Sequence, residues 1–349
     1  MATIEYKNVG IRAMAACVPK KVVCNKDLEG LMSAEEVRKM IESVGIRERR
    51  ICAADVCASD LCYKAARKLM EDNHIEPDSI DMLLFMSQVP DYRMPATACI
   101  LQHRLGLPNS CAAMDLSLAC SGFVYALSCA MAYASMPGIN RVLLLDGEAL
   151  SKVVNPADKV NVPLYGDAGT ATLVEKGNFS PSTFILCTDG AGEDAVKIPA
   201  GMRHPLTPES LAVTEREDGN LRSDVEIYMD GMSVFNFAIR VVPKGVKEIL
   251  KVTGEELESI DYLVFHQSNR FMTDFFVKKL KFDAAKVPYC MDRFGNTSSA
   301  SIPLTIVSEL QGKLTAPRNV VMCGFGAGLS WGTARMTFSG CRISDIEEY

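Results

Sequence analysis

Histidine is scarce in this chain, with four residues in 349: His74, His103, His204 and His266. A basic excess is lacking too. Lys and Arg number 37 against 43 Asp and Glu, giving a formal charge of -6 and a pI near 5.4. Nucleic-acid proteins usually carry the opposite balance, so no nucleic-acid partner is expected and any basic patch must be local. No segment approaches the uninterrupted apolar length that spans a bilayer, so no membrane partner is expected. The opening residues MATIEYKNVGIRAMAACVPKK alternate polar and apolar types, unlike the basic start and apolar run of a signal peptide. An evenly paired cysteine framework is missing as well. Thirteen scattered cysteines suit a reducing cytoplasm. Cys52, Cys57 and Cys62 recur every five residues, but no second cysteine pair or nearby histidine pair completes a four-ligand zinc set. Steps of five also turn successive helical side chains to different faces. No metal is expected, and most of these thiols read as small buried hydrophobes.

What the chain does contain is an internal repeat. Residues 65–88, AARKLMEDNHIEPDSIDMLLFMSQ, align with residues 245–268, GVKEILKVTGEELESIDYLVFHQS. Ser79, Ile80, Asp81, Leu83 and Phe85 return as Ser259, Ile260, Asp261, Leu263 and Phe265 at a constant offset of 180. Each copy reads as helix, turn and buried strand. RVLLLDG (141–147) then answers NVVMCGF (319–325), and GTATLV (169–174) answers GTARMTF (332–338). Between these strands lie CSGFVYAL and NTSSASIP, both reading as helices entered through small residues. Several landmarks in one order favour duplication. Two βαβαβ-type halves are expected, 1–178 and 179–349, joined by a polar stretch around 176–225 that reads as loop or lid.

Functional residues should break such a repeat. Met86 ends the first repeated strand where His266 ends the second. The other three histidines fall in turn-like or polar contexts, so His266 is a satisfied core imidazole or a working one. Cys120 follows a strand-like segment and opens an apolar helix, where unpaired N–H groups and the helix dipole favour a thiolate. Most cysteines pack, and Cys129 in the same helix is expected to. Asn296 stands in a glycine-flanked turn, a common place for a cap. GFGAG (324–328) is followed by a strand rather than the helix that a dinucleotide phosphate site needs, and reads as backbone brought close to a ligand.

GIRERR, ACSGFVYAL, YGDAGTA, VFHQSN, GNTSSASIP and FGAGLSWG together give the chain a resemblance, nearly end to end, to the ketoacyl-acyl-carrier-protein synthase III family. The resemblance implies a thiolase fold, a five-layered αβαβα sandwich, in a homodimer. It implies a condensing acyltransferase that needs no cofactor beyond acyl-CoA or acyl-carrier thioesters, with Cys120 as acylated nucleophile and His266 and Asn296 as donors to an enolate. Backbone N–H groups of Cys120 and Ala327 would form the oxyanion hole, and Met94 and Phe325 would bound the acyl pocket. Departures fall at the entrance. Lys39 and Ser43 stand where the family carries a tryptophan and an arginine for coenzyme A, and Lys159 replaces a further arginine. Phe271 takes the basic carrier-docking position, leaving Arg270, Lys278, Lys279 and Lys281 beside it. A dedicated secondary-metabolite or surface-polysaccharide pathway, a hydroxymethylglutaryl-CoA synthase or thiolase, and a non-catalytic acyl-binding subunit stand as alternatives.

Overall fold

The computed structural model describes residues 2–349. In chain order the main elements begin with β1 (Ala2–Tyr6), β2 (Val9–Val18), α1 (Ala34–Val44), α2 (Ala58–Asn73), β3 (Met82–Met86), α3 (Thr97–Arg104), β4 (Ala112–Leu116), α4 (Gly122–Ser135), β5 (Arg141–Glu148) and β6 (Ala168–Lys176). There follow β7 (Ser182–Thr188), α5 (Gly231–Thr253), β8 (Tyr262–Phe265), α6 (Arg270–Leu280), α7 (Ser301–Glu309), β9 (Arg318–Gly326), β10 (Ser330–Phe338), β11 (Arg342–Ile343) and β12 (Glu347–Glu348).

One sheet runs β11-β2-β6-β5-β3-β4, with β12 also on β2, and the other β1-β7-β10-β9-β8. The pairing repeats. β3 is parallel to β5, which is antiparallel to β6, which is antiparallel to β2. Likewise β8 is parallel to β9, β9 antiparallel to β10 and β10 antiparallel to β7. The repeated residues do the same work twice. Ser79 Oγ donates to Glu76 O and Ser259 Oγ to Glu256 O, both at 2.7 Å. Asp81 accepts the Asn140 and Arg141 N–H groups, at 2.7 and 3.0 Å, and Asp261 accepts the Asn319 N–H at 2.8 Å. Each aspartate thus pins the start of the neighbouring parallel strand.

Three apolar clusters separate five layers. Leu84, Met86, Val264 and Met322 face α4 and α7 between the sheets. Leu83, Phe85 and Leu143 pack outward on α2 and α3. Leu263, Phe265 and Val321 pack outward on α5 and α6. The sequence of α4, GFVYALSCAMAYAS, is apolar nearly all round because sheets cover both its sides. By contrast α2 buries one face.

Two features depart from the expected layout. STFILCT, inside the stretch expected to be loop, forms β7, and Phe184 and Ile185 are buried there. The chain ends also cross over. Ala2 pairs with Leu186 in the second sheet, while Arg342 and Glu347 pair with Ala13 and Cys17 in the first. Each sheet is therefore completed by the distant end of the chain.

Candidate active site

The layers bring three side chains from distant parts of the sequence to one narrow cavity of about 80 Å³, lined by Cys120, His266, Asn296, Phe325, Gly326 and Ala327 among others. Cys120 occupies the turn between β4 and α4, two residues before the helix begins. His266 follows β8 directly, its N–H held by Cys323 O at 2.8 Å. Asn296 is tied at its backbone to Leu164 O (2.8 Å) and Gly166 N (3.1 Å).

Glycines make that approach possible. A Cβ on Gly166 would stand 2.0 Å from Phe294 O, and one on Gly295, where φ is +73°, 2.9 Å from Leu164 O. Neither position admits a side chain without moving backbone. Arg49 of GIRERR braces the same loops from behind, donating to Asn25 Oδ1 at 2.7 Å and reaching Tyr165 O at 3.5 Å.

Hydrogen bonding fixes what the two polar partners present. The Gln267 N–H points to Ser301 Oγ at 3.3 Å, and Ser301 Oγ lies 2.7 Å from His266 Nδ1. With one lone pair of Ser301 Oγ taken by the Gln267 N–H, its hydroxyl proton is free to go to Nδ1, the tautomer in which Nε2–H is the donor. Burial pulls the imidazole down to about 3, opposed by a hydrogen bond to the Ser298 backbone. His266 is thus neutral at working pH. Asn296 Oδ1 accepts the Ser298 N–H at 2.9 Å, leaving its amide N–H groups as donors. A thiol beside two neutral donors suits acyl transfer followed by enolate stabilisation.

Comparisons with known proteins give the same class. Residues 114–192 match the 3-oxoacyl-(acyl-carrier-protein) synthase III model and residues 250–338 its C-terminal counterpart. A putative 3-oxoacyl-(acyl-carrier-protein) synthase 3 from Campylobacter jejuni is 35% identical, over 99% of this chain and 98% of that protein. The chain belongs to the 3-oxoacyl-(acyl-carrier-protein) synthase III family. A synthase structure from Burkholderia xenovorans is similar over 100% of this chain and 99% of that one, with a TM-score of 0.94 and 38% identity. A priming β-ketosynthase from a polyketide pathway covers 97% and 98%, with a TM-score of 0.82 and 26% identity. The thiolase fold and its five layers follow from both the topology and these likenesses.

Within that family frame, the remaining residues fall in three places. Phe325 lines the cavity with its ring edge-on to His266, centroids 5.2 Å apart. Ala327 turns the β9–β10 hairpin beside Gly326, where a Cβ would stand 2.9 Å from Cys120 Cβ. GFGAG thus brings backbone close to the nucleophile itself. Lys39 and Lys159 both act on Glu36 of α1, and Arg270 packs its Cβ against Gly45 just past that helix. Lys278 and Lys279 are exposed in the last turn of α6. Met94 is 85% exposed and lies apart from the cavity lining of its own chain. His74, His103 and His204 are exposed. Among the described residues no cluster of three or more potential metal ligands occurs, and no helix is long and apolar enough to cross a membrane.

One expectation is reversed. Burial pushes the Cys120 thiol up to about 12, with the charge of Glu148 acting the same way and Ser298 against it. A helix end contributes about 1 kcal/mol, under one pH unit of pKa, so burial wins. The thiol rests protonated. Sequence reasoning also missed Ser298, Ser301, Asp146 and Glu148. The signal for the carboxyls was present in LLLDGE, where two acids end a strand too apolar to be exposed.

Proposed function

We propose that the chain catalyses decarboxylative Claisen condensation. An acyl thioester is joined, through acyl-Cys120, to malonyl carrier protein or malonyl-CoA, giving a 3-ketoacyl product as in initiation of fatty-acid synthesis. The observation carrying this reading is the convergence of the Cys120 thiol with His266 Nε2–H and the Asn296 amide on one cavity. In the first half-reaction the Cys120 sulfur bonds to the acyl carbon, and the carrier thiol leaves with a proton. In the second, His266 and Asn296 donate to the malonyl thioester oxygen while the C–C bond to carboxylate breaks and CO₂ departs. The enolate carbon then attacks the acyl carbon. Backbone N–H groups of Cys120 and Ala327 hold that oxyanion until the thiolate is expelled and reprotonated.

The acyl chain lies between Phe325 and the apolar wall of Leu150, Tyr165 and Ile227. Lys39, Lys159 and Arg270 stand at the entrance, with Lys278 and Lys279 extending the basic face to an acidic carrier protein. The working unit is a cytoplasmic homodimer of duplicated subunits, with halves 1–178 and 179–349. In support, β4 has β3 as its one sheet neighbour, and the loop beside it exposes Tyr92 and Met94. A pathway-dedicated role is the second reading, and one feature speaks for it: Lys39 and Ser43 replace the aromatic and arginine of the family's coenzyme A clamp. Intact-protein mass measurement after incubation with a panel of acyl-CoA and acyl-carrier thioesters tests all of this. A gain mapped to Cys120 identifies the donor; no gain with any thioester would overturn the condensing role.

A further inference from the structure

Two acids buried behind the nucleophile have no part in the chemistry above. Asp146 and Glu148 are two residues apart on β5, so both side chains leave the same face. Both are fully buried, and among the described residues no lysine, arginine or histidine acts on either. The ionisable groups that face them are Cys62 from α2, Cys120 and Tyr165, all held protonated by burial. Burial raises both acids, and two adjacent carboxylates without a cation repel, so the pair loses its first proton well before its second and its basic form is the singly protonated one.

The donors show where the remaining charge sits. Glu148 Oε1 faces the hydroxyls of Ser299 at 3.0 Å and Ser298 at 3.5 Å. Its Oε2 faces the Gln88 N–H at 3.2 Å and the Ser87 hydroxyl at 3.4 Å. Asp146 meets the Ser299 hydroxyl alone, at 2.6 Å through Oδ1, and its Oδ2 has no partner. Ser299 has one hydroxyl hydrogen and cannot donate to both acids. Protonated Asp146 donating to Ser299, and Ser299 donating to ionised Glu148, satisfies every contact.

Ser298 connects this anion to the nucleophile. Its Oγ lies 3.5 Å from Cys120 Sγ as well as 3.5 Å from Glu148 Oε1. Its backbone is held at φ +52°, a left-handed conformation that a serine keeps only where its surroundings impose it. We infer that Glu148, acting through the Ser298 hydroxyl, accepts the Cys120 thiol proton during acylation, with Asp146 as its protonated neighbour. As sulfur attacks the thioester carbon, the thiol proton passes to Ser298 Oγ and the serine's own hydrogen passes to Glu148 Oε1. The carbon–sulfur bond to the carrier then breaks, and the leaving thiolate takes one proton back along the same path. No net charge is left behind.

This step rests on the acyl-Cys120 reading, so its test avoids thioesters. The rate of Cys120 carbamidomethylation by iodoacetamide, followed by peptide mass mapping, is measured from pH 5 to 10 on the full-length protein. With Glu148 as base, the wild-type rate levels off once the acid pair ionises, far below the thiol's own titration. In Glu148→Gln the plateau is lost: the rate falls about 100-fold at pH 7 and climbs tenfold per pH unit. Ser298→Gly, which tolerates the positive φ and leaves the acids in place, gives the same loss. It decides alone should Glu148→Gln fail to fold. A plateau retained in either folded variant, or none in the wild type, overturns the relay. Failure of the condensing role reads differently: no thioester labels Cys120, while the alkylation profile is unchanged.

Discussion

The ends of β3 and β8 occupy equivalent places in the two sheets, yet one carries Met86 and the other His266. Met86 is fully buried between the sheets, its methyl group close enough that a Cβ on Gly122 would lie 2.4 Å away. His266 is 2% exposed but lines the cavity, with Ser301 Oγ held at its Nδ1. A duplicated fold offers two strand ends beside the central helices. Here one secures packing around the start of α4, so that the turn before it can present Cys120, and the other supplies the donor. The repeat accounts for the scaffold, and the differences between its copies account for the chemistry.

The comparison breaks most sharply at the working residues. Cys120→Ser should abolish a stable acyl-enzyme, because a hydroxyl needs a stronger base than this site holds. His266→Met, which makes the second strand end like the first, and Asn296→Ala should still acylate. Each should lose on the order of 10²- to 10³-fold in CO₂ release from malonyl thioester. Mass spectrometry reads the first half-reaction and a CO₂ assay the second. Normal acylation of Cys120→Ser, or unchanged decarboxylation in either of the others, would contradict this division of labour.

Glycine substitutions on either side of the nucleophile sharpen it. In Gly326→Ala the new methyl meets Cys120 Cβ at 2.9 Å and its N at 3.1 Å. Backbone must shift, so acylation and folding should both suffer, at about 1–3 kcal/mol of stability. In Gly122→Ala the first obstacle is the flexible end of Met86, with Ser299 Cβ behind it at 3.1 Å. A smaller loss is expected there. Thermal melts and acyl-enzyme mass rank the pair, and an equal or reversed ranking would show that Met86 is not the softer neighbour.

Much of this was legible in the sequence because it is local. The helix–turn–strand repeat, the shared Ser and Asp, and the turns bearing Cys120 and Asn296 depend on residues near one another in the chain. The exchange of chain ends was not legible, since nothing within Ala2–Tyr6 specifies Ser182–Thr188 as its partner. Strand β7 was hidden by the polar, glycine- and proline-bearing residues around it. The resting state of Cys120 was misread for a related reason. A helix terminus shows in the sequence, whereas the packing of Cys120 against Gly324 and Gly326 of β9, and the place of the β5 acids beyond Ser298, exist only after folding.

The acid pair also separates the halves by pH. Asp146 and Glu148 titrate well above the ordinary carboxylate range because burial disfavours their charge. Unfolded, they ionise near pH 4. Between there and about 8 the folded state holds the extra proton, so their contribution to stability falls as pH rises. His266 works in the opposite sense. Its depressed pKa makes the unfolded state the better proton binder below about 6.5, so stability falls as pH drops from there towards 3. Asp146→Asn, which mimics the protonated acid, should gain about 1–2 kcal/mol over wild type at pH 8, and the gain should vanish by pH 4. Denaturant titrations at the two pH values measure it; a gain independent of pH would mean that Asp146 does not carry the proton.

The smallest effect is expected away from both strand ends, at the loop before α3. Met94 is exposed in the single chain, and in the proposed homodimer it reaches the partner's acyl pocket from that loop. Methionine is unbranched and adaptable, so it should close the pocket less rigidly than an aromatic ring would. Met94→Phe should then shift the donor profile towards shorter acyl groups and Met94→Ala towards longer ones, each by a few-fold in relative rate. That corresponds to about 1 kcal/mol between neighbouring chain lengths, the scale of one or two buried methylene groups. Stability should not move, since an exposed residue has little packing to lose. Chain-length profiles of the three proteins, taken alongside their sedimentation behaviour, separate gating from assembly. If both variants remain dimers and keep the wild-type profile, Met94 does not gate the pocket. Donor length is then set by the Leu150, Tyr165 and Ile227 wall, to which both halves of one subunit contribute.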